Sequence, residues 1–152
     1  MKKQFSFLIV VITSSLLLFN ACKKSSSAPK SKTNTQLISN GSWRLISATI
    51  SGGTSVRNFL EDCQKDNIYT FNADGSGSGD EGILKCNAVD PQTAPFTWNF
   101  QTNETILFIS TPLFANGSSQ SNIISISETT LVVDQIVTLL NIPTSVTFTF
   151  YH

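Results

Sequence analysis

The alternation of apolar and polar residues is the feature that most restricts how this chain can fold. Successive side chains of a β-strand point to opposite faces, so period-two alternation indicates a strand with one buried face. Two segments alternate in this way, with one face formed by Phe96, Trp98 and Phe100 and by Val146, Phe148 and Phe150. Further β-rich runs cover residues 43–50, 68–71, 105–110, 122–127 and 131–140, and in the run 122–127 we expect Ile124 and Ile126 to share one face.

Turn-forming residues separate these runs at 72–75, 90–91, 103–104, 116–117 and 127–129. Seven or eight short strands at such spacing predict an all-β domain, either an antiparallel barrel or a sandwich. No internal repeat and no long helical pattern is present in the sequence, and short helical pieces are expected near residues 37–40 or 59–65. The glycine-rich run 75–79 leaves the register of the third strand undetermined.

The first segment predicts export. Lys2 and Lys3 precede an apolar run over residues 5–19, which has the length of a signal-peptide core and is short for a membrane-spanning helix. Residues 19–22, Phe-Asn-Ala-Cys, resemble the bacterial lipobox, in which the cysteine becomes the first mature residue and carries acyl chains such as palmitate. The sequence therefore predicts a signal peptide over 1–21 and lipidation at Cys22, with a retained membrane anchor as the alternative.

Residues 22–40 are rich in Ser, Lys, Thr and Asn, and we expect a flexible tether there. Lys23 follows the lipidated cysteine, which resembles the sorting pattern of outer-membrane lipoproteins. Residues 23–27 hold none of the acidic residues that some surface-displayed lipoproteins carry after the cysteine, which favours a periplasm-facing orientation over the cell surface. Residues 41–152 then form the predicted domain. They hold four basic residues against ten acidic ones, a net formal charge of −6, which argues against a nucleic-acid partner.

The remaining cysteines, Cys63 and Cys86, predict a disulfide, because an exported chain folds in an oxidising compartment. Metal binding and two free thiols are the alternatives. His152 is the only histidine. Two cysteines with one histidine make a poor set of metal ligands, and His152 is not a credible base for activating a nucleophile.

The paired carboxylates at 61–62 and 80–81 are expected to be solvated, and residues 72–80 lack the spacing of a calcium loop. We predict no catalytic residue, no metal and no cofactor.

Several segments taken together resemble the bacterial lipocalin-like lipoprotein domain family. They are Gly41-Ser42-Trp43 near the start of the domain, the stretch from Cys63-Gln64-Lys65-Asp66 to Asp74-Gly75, residues 82–86 with the second cysteine, and Phe96-Thr97-Trp98. The resemblance covers about residues 37–151. It implies an antiparallel, up-and-down, eight-stranded barrel with Trp43 packed at its closed end.

Two functional hypotheses follow, and both describe a non-enzymatic lipoprotein of the cell envelope. In the first, the barrel holds a small apolar ligand, with Trp98, Phe100, Phe148 and Phe150 as the candidate cavity residues and loops 54–62 and 112–119 at the mouth. In the second, the domain is a structural or interaction module that presents loops to an envelope protein or a glycan. The size of the internal cavity distinguishes the two, because a carrier needs a void of a few hundred Å³.

Overall fold

The structure is a computed structural model that describes residues 30–152. The predicted signal peptide over 1–21, the predicted lipidation site Cys22 and the first part of the predicted tether lie outside the described residues. Ser31–His152 form one compact unit.

Eight antiparallel strands form a closed barrel, in which each strand pairs with its neighbours in sequence and the last pairs with the first. The strands are β1 (Ser42–Thr49), β2 (Ile68–Phe71), β3 (Ser76–Asp80), β4 (Thr93–Gln101), β5 (Ile106–Ile109), β6 (Gln120–Ile126), β7 (Thr130–Leu139) and β8 (Ile142–Tyr151). Two short helices, α1 (Asn34–Ile38) and α2 (Asp62–Lys65), and a 3₁₀ turn at Arg57–Phe59 lie outside the barrel wall. The predicted up-and-down barrel is confirmed, and the alternative of a sandwich is wrong.

The up-and-down topology gives the barrel two different ends. At the helix end lie α1 and the short hairpin turns 72–75, 102–105 and 127–129. At the loop end lie the long connections 50–67, 81–92 and 110–119, together with the tight turn at 140–141. The chain enters the barrel at the helix end, where Lys32 Nζ forms an ion pair with Glu128 Oε1 at 3.0 Å.

The helix end is closed by α1, which lies within the segment predicted to be a tether. A capping box formed by Thr33 and Gln36 starts this helix. Its last residue, Ile38, is fully buried, and the Ile38 carbonyl accepts a hydrogen bond from Trp43 Nε1 at 2.7 Å. The folded region therefore begins before residue 41, because one apolar side chain of the polar segment covers the end of the barrel.

The glycine-rich run forms β3, with Gly77 paired with both Phe71 and Phe96. A Cβ atom on Gly77 would lie 2.1 Å from the Phe96 ring, and one on Gly79 would lie 3.6 Å from the Tyr69 ring. Aromatic side chains of the neighbouring strands thus cover the backbone of β3 and provide the packing that its own residues lack. This arrangement settles the register that the sequence left undetermined.

The expectation that Ile124 and Ile126 share one face is wrong. A β-bulge between Ile123 and Ser125 shifts the pairing of β6 with β7. As a result Ile123 and Ile126 pack against the core, whereas Ile124 is 58% exposed. One extra residue in a strand interrupts the two-residue period, so alternation alone assigned the wrong face.

Candidate functional site

The loop end is held together by the predicted disulfide. Cys63 in α2 and Cys86 in the 81–92 connection are joined by an S–S bond of 1.88 Å, with their Cα atoms 5.1 Å apart. The Glu61 carboxylate lies close to both sulfurs. Because the sulfurs are bonded to each other, neither is a thiolate available to a metal ion.

Carboxylates organise the backbone around this disulfide. Asp66 Oδ2 accepts hydrogen bonds from the amides of Ile83 at 2.7 Å and Leu84 at 3.0 Å. Asp80 accepts from Gln92 Nε2 and from the Gly82 amide, both at 2.8 Å, and these bonds lower the pKa of the Asp80 carboxyl. The acidic residues at this end therefore bond to the loops and shape them.

The interior of the barrel is filled by a loop residue. Phe114 of the 110–119 connection is 2% exposed and stacks on Phe148, with ring centroids 4.2 Å apart, and on Phe150 at 6.3 Å. The small gap that remains next to Phe150 and Leu113 has no room for a water molecule. The described interior is therefore a packed core.

Two buried polar side chains hold the Phe114 segment in place. Tyr69 Oη donates to the Leu113 carbonyl at 2.5 Å, and burial raises the pKa of Tyr69 to about 12. Gln135 Nε2 donates to the Ser118 carbonyl on the other side of Phe114. The segment is thus attached to the wall at both flanks of the inserted ring.

The structure places the four candidate cavity residues in two groups. Phe148 and Phe150 are core residues packed against Phe114. Trp98 is 5% exposed and donates its Nε1–H to the carbonyls of β2–β3 hairpin residues. Phe100 packs on Trp98, and both border an open surface groove at the helix end. The alternation correctly indicated that these residues face inward. The sequence did not show that the Phe114 ring, which comes from a loop, packs against Phe148 and Phe150.

Large apolar side chains are exposed at the loop end. A groove of about 200 Å³ lies between the 50–67 connection and the β7–β8 hairpin, and it is bordered by Phe59, Leu140 and Ile142. These side chains are 57%, 77% and 63% exposed. We call these three residues the apolar rim. Further exposed apolar residues, Ile83 and Val89, lie on the disulfide-bonded 81–92 connection at the same end.

Leu140 has an unusual backbone conformation for its residue type. Leu140 and Asn141 form the turn between β7 and β8, with φ values of 51° and 65°. Tight hairpins need such left-handed conformations, which glycine and asparagine adopt readily and leucine does not. The sequence alone does not mark Leu140 as functional, because the residue also fits the end of an apolar strand.

No catalytic arrangement is present among residues 30–152. The His152 ring packs edge-on against Trp43 at a centroid distance of 4.7 Å, and its buried Nε2 has no partner within the described part of the chain. In the same residues, no helix is long and apolar enough to cross a membrane.

The chain matches a known protein family. The family model described as a lipocalin-like domain matches residues 40–133. These residues extend from the start of β1 into β7 and include both disulfide-bonded cysteines. No curated protein matches the chain.

Proposed function

The chain belongs to the lipocalin-like domain family, and from this premise we propose that it is a non-enzymatic, lipid-anchored module of the bacterial cell envelope that binds a protein partner through its apolar rim. The N-terminal pattern supports the anchor, since several acyl chains on Cys22 hold a protein durably on a bilayer. Lys23 favours the outer membrane, and the lack of acidic residues in 23–27 favours a domain that faces the periplasm. A role in binding, without catalysis, agrees with the family. It also agrees with the position of His152, the only histidine, which packs against Trp43.

The geometry favours a surface role for the barrel. A carrier of small molecules needs an internal void of a few hundred Å³, whereas Phe114 fills this interior. The chain enters the barrel at the helix end, where Lys32 pairs with Glu128. A lipid anchor before residue 30 therefore leaves the loop end, with its apolar rim, free to meet another protein.

Leu140 is the observation that carries this proposal. Its positive φ costs stability because leucine strains the turn, and at 77% exposure its side chain gains little from burial in return. An asparagine or glycine would form the same turn without that strain. A residue that is unfavourable for folding and fully presented to solvent is explained by contact with a partner, since apolar groups that pack in an interface contribute strongly to affinity.

We expect Leu140→Asn to increase stability and to decrease partner binding. The substitution relieves the turn, so the free energy of unfolding should rise by about 1 kcal/mol in urea titrations. Binding is measured in cells by placing a photo-crosslinking residue at Ile142 of the full-length protein. We expect a discrete crosslinked product that is lost in Leu140→Asn.

The matched control places the same photo-crosslinker at Ile124, which is similarly exposed at 58% but lies on the barrel wall. It should give no product. Equal products from both positions, or a product at Ile142 that Leu140→Asn leaves unchanged, would contradict the proposal.

A second candidate function is the binding of a small apolar ligand in the barrel after displacement of Phe114. The observation in its favour is that the stacked ring of Phe114 comes from a loop and not from the barrel wall. If the loop moved away, the space that the ring fills would open inside the barrel. The Leu113 and Ser118 carbonyls on either side of the ring are held by two hydrogen bonds from the wall.

Benzene binding by the wild-type protein, with Phe114→Ala as the positive control, distinguishes the two candidates. The substitution should leave an apolar cavity beside Phe148 that binds benzene, as cavities of this kind do, and should cost about 3–5 kcal/mol of stability. With Phe114 in place, the wild-type protein should show no saturable benzene binding by calorimetry. Saturable binding by the wild-type protein would instead support the carrier function.

A further inference from the structure

The surface groove at the helix end is lined by two aromatic rings and two carboxylates. Its volume is about 450 Å³, and we call it the helix-end groove. Trp98 and Phe100 of β4 contribute the rings, which meet edge-on with their centroids 5.4 Å apart. Asp74 and Glu104 come from two hairpin turns, and no lysine or arginine lines the groove. This combination favours an occupant that carries both positive charge and apolar groups.

Both carboxylates of the groove are available to a cation. Asp74 Oδ1 accepts hydrogen bonds from the Ser76 amide at 2.9 Å and from the Ser76 hydroxyl at 2.7 Å, and these bonds lower the pKa of the Asp74 carboxyl. Asp74 is therefore anionic at neutral pH, while its Oδ2 accepts no hydrogen bond from residues 30–152. Glu104 is exposed and forms no ion pair within the same residues.

The chain itself carries a cationic segment next to this end of the barrel. Residues 23–40 hold four lysines and no acidic residue, whereas the domain over 41–152 has a net formal charge of −6. Because the two parts belong to one chain, the segment stays at a high effective concentration near the domain. The charge of the segment thus complements the charge of the groove.

The groove lies where this segment joins the barrel. Thr35 of α1 is one of its lining residues. An extended chain advances about 3.3 Å per residue, so residue 29 is within roughly 20 Å of Thr35 along the chain. Lys32 of the same segment already pairs with Glu128, the acidic residue of a third turn at the helix end, at 3.0 Å. The described end of the segment therefore binds a carboxylate of the kind that the groove presents.

We infer that residues 23–29 dock in the helix-end groove, with a lysine ammonium between Asp74 and Glu104. One exposed ion pair contributes little to stability, so apolar contact is needed as well. Pro29 and the methylene groups of the lysines supply it by packing on the ring of Phe100. If Cys22 is anchored as proposed, the docked segment keeps the helix end towards the bilayer and the apolar rim away from it.

Paramagnetic relaxation in NMR spectra of the mature protein tests this docking. A nitroxide spin label is attached at Ser26→Cys, which leaves every lysine in place, and the protein is kept in an uncharged detergent. We expect strong relaxation enhancement at the amides of Gly75, Asn99 and Phe100. The enhancement should fall when salt is added, because the Debye length shortens to about 3 Å at 1 M ionic strength.

Two double variants test the charges from both sides. Asp74→Asn/Glu104→Gln removes the groove charges, and asparagine keeps the acceptor for Ser76. Lys23→Gln/Lys24→Gln removes charge from the segment and leaves the domain unaltered. Each double variant should lose most of the enhancement. The matched control is Asp90→Asn, which neutralises an exposed carboxylate at the loop end and should leave the enhancement unchanged.

Three results would overturn the inference. They are a wild-type protein without enhancement at the groove amides, enhancement that both double variants retain, and enhancement that disappears in bilayer discs containing anionic phosphatidylglycerol. The last result would identify the lipid head groups as the partner of the lysines. The contact needs no acyl chain and shares no residue with the apolar rim, so this inference and the proposed function can fail separately.

Discussion

Trp43→Ala should destabilise the domain by about 3–5 kcal/mol, the usual cost of truncating a buried aromatic residue. The side chain is fully buried, and its Nε1–H bonds to the Ile38 carbonyl at 2.7 Å. Removing it opens a cavity at the helix end and leaves that buried carbonyl without its donor. Because domains of this size are stable by only about 5–15 kcal/mol, much of that stability should disappear.

Urea unfolding followed by circular dichroism measures this change. Trp43→Phe keeps most of the volume but removes the donor, so its cost should be smaller, about 1–3 kcal/mol. Ile124→Ala is the matched control, since Ile124 is 58% exposed and its truncation should change the free energy of unfolding by less than about 0.5 kcal/mol. A cost below about 1 kcal/mol for Trp43→Ala would contradict the role of Trp43 in closing the barrel.

Removing the disulfide should have the second large effect. Cys63 and Cys86 are 23 residues apart in sequence, and a link across a loop of this length is worth about 3 kcal/mol in the chain-entropy description. For a domain of this size, the double variant Cys63→Ala/Cys86→Ala should lower the melting temperature by roughly 10 °C.

The effect should be local as well as global. Hydrogen exchange should accelerate at the Ile83 and Leu84 amides, which bond to Asp66 next to the bridge. Val89→Ala, on the same connection and 86% exposed, serves as the control and should change neither quantity. A double variant that melts at the wild-type temperature would show that the bridge does not stabilise the native fold.

Much of the barrel was predictable because its strongest strands follow the simple period of two. Residues 146–151 alternate in the structure as they do in the sequence, with Val146, Phe148 and Phe150 buried. The resemblance to the lipocalin-like family supplied the strand number, and it placed Trp43 at the closed end. Local rules and the resemblance agree here, and the structure confirms both.

The wrong and the undetermined predictions lie where packing in the barrel overrides the local pattern. The bulge in β6 exposed Ile124, and aromatic rings from neighbouring strands allowed the glycine-rich β3 to form. The burial of Ile38 makes the end of the polar segment 22–40 part of the folded domain. None of these outcomes can be read from a short window of sequence, because each depends on how that segment packs in the complete barrel.

The candidate functional residues were less predictable than the fold. Phe114 lies in a segment whose Pro, Asn and Gly residues indicate a loop, and loop residues are usually exposed. Leu140 resembles one more apolar strand residue, and only its positive φ distinguishes it. Sequence patterns indicate which residues are apolar, but they do not show which apolar residue enters the barrel and which one is presented to solvent.

Native mass spectrometry of the full-length protein, extracted from bacterial membranes in mild detergent, shows whether the protein is a lipid-anchored domain with a filled barrel. We expect a chain that begins at Cys22, carries acyl groups, is lighter by the two hydrogens of one disulfide, and holds no small molecule in the barrel. An unacylated chain recovered from the soluble fraction, or a stoichiometric apolar passenger released on unfolding, would contradict it.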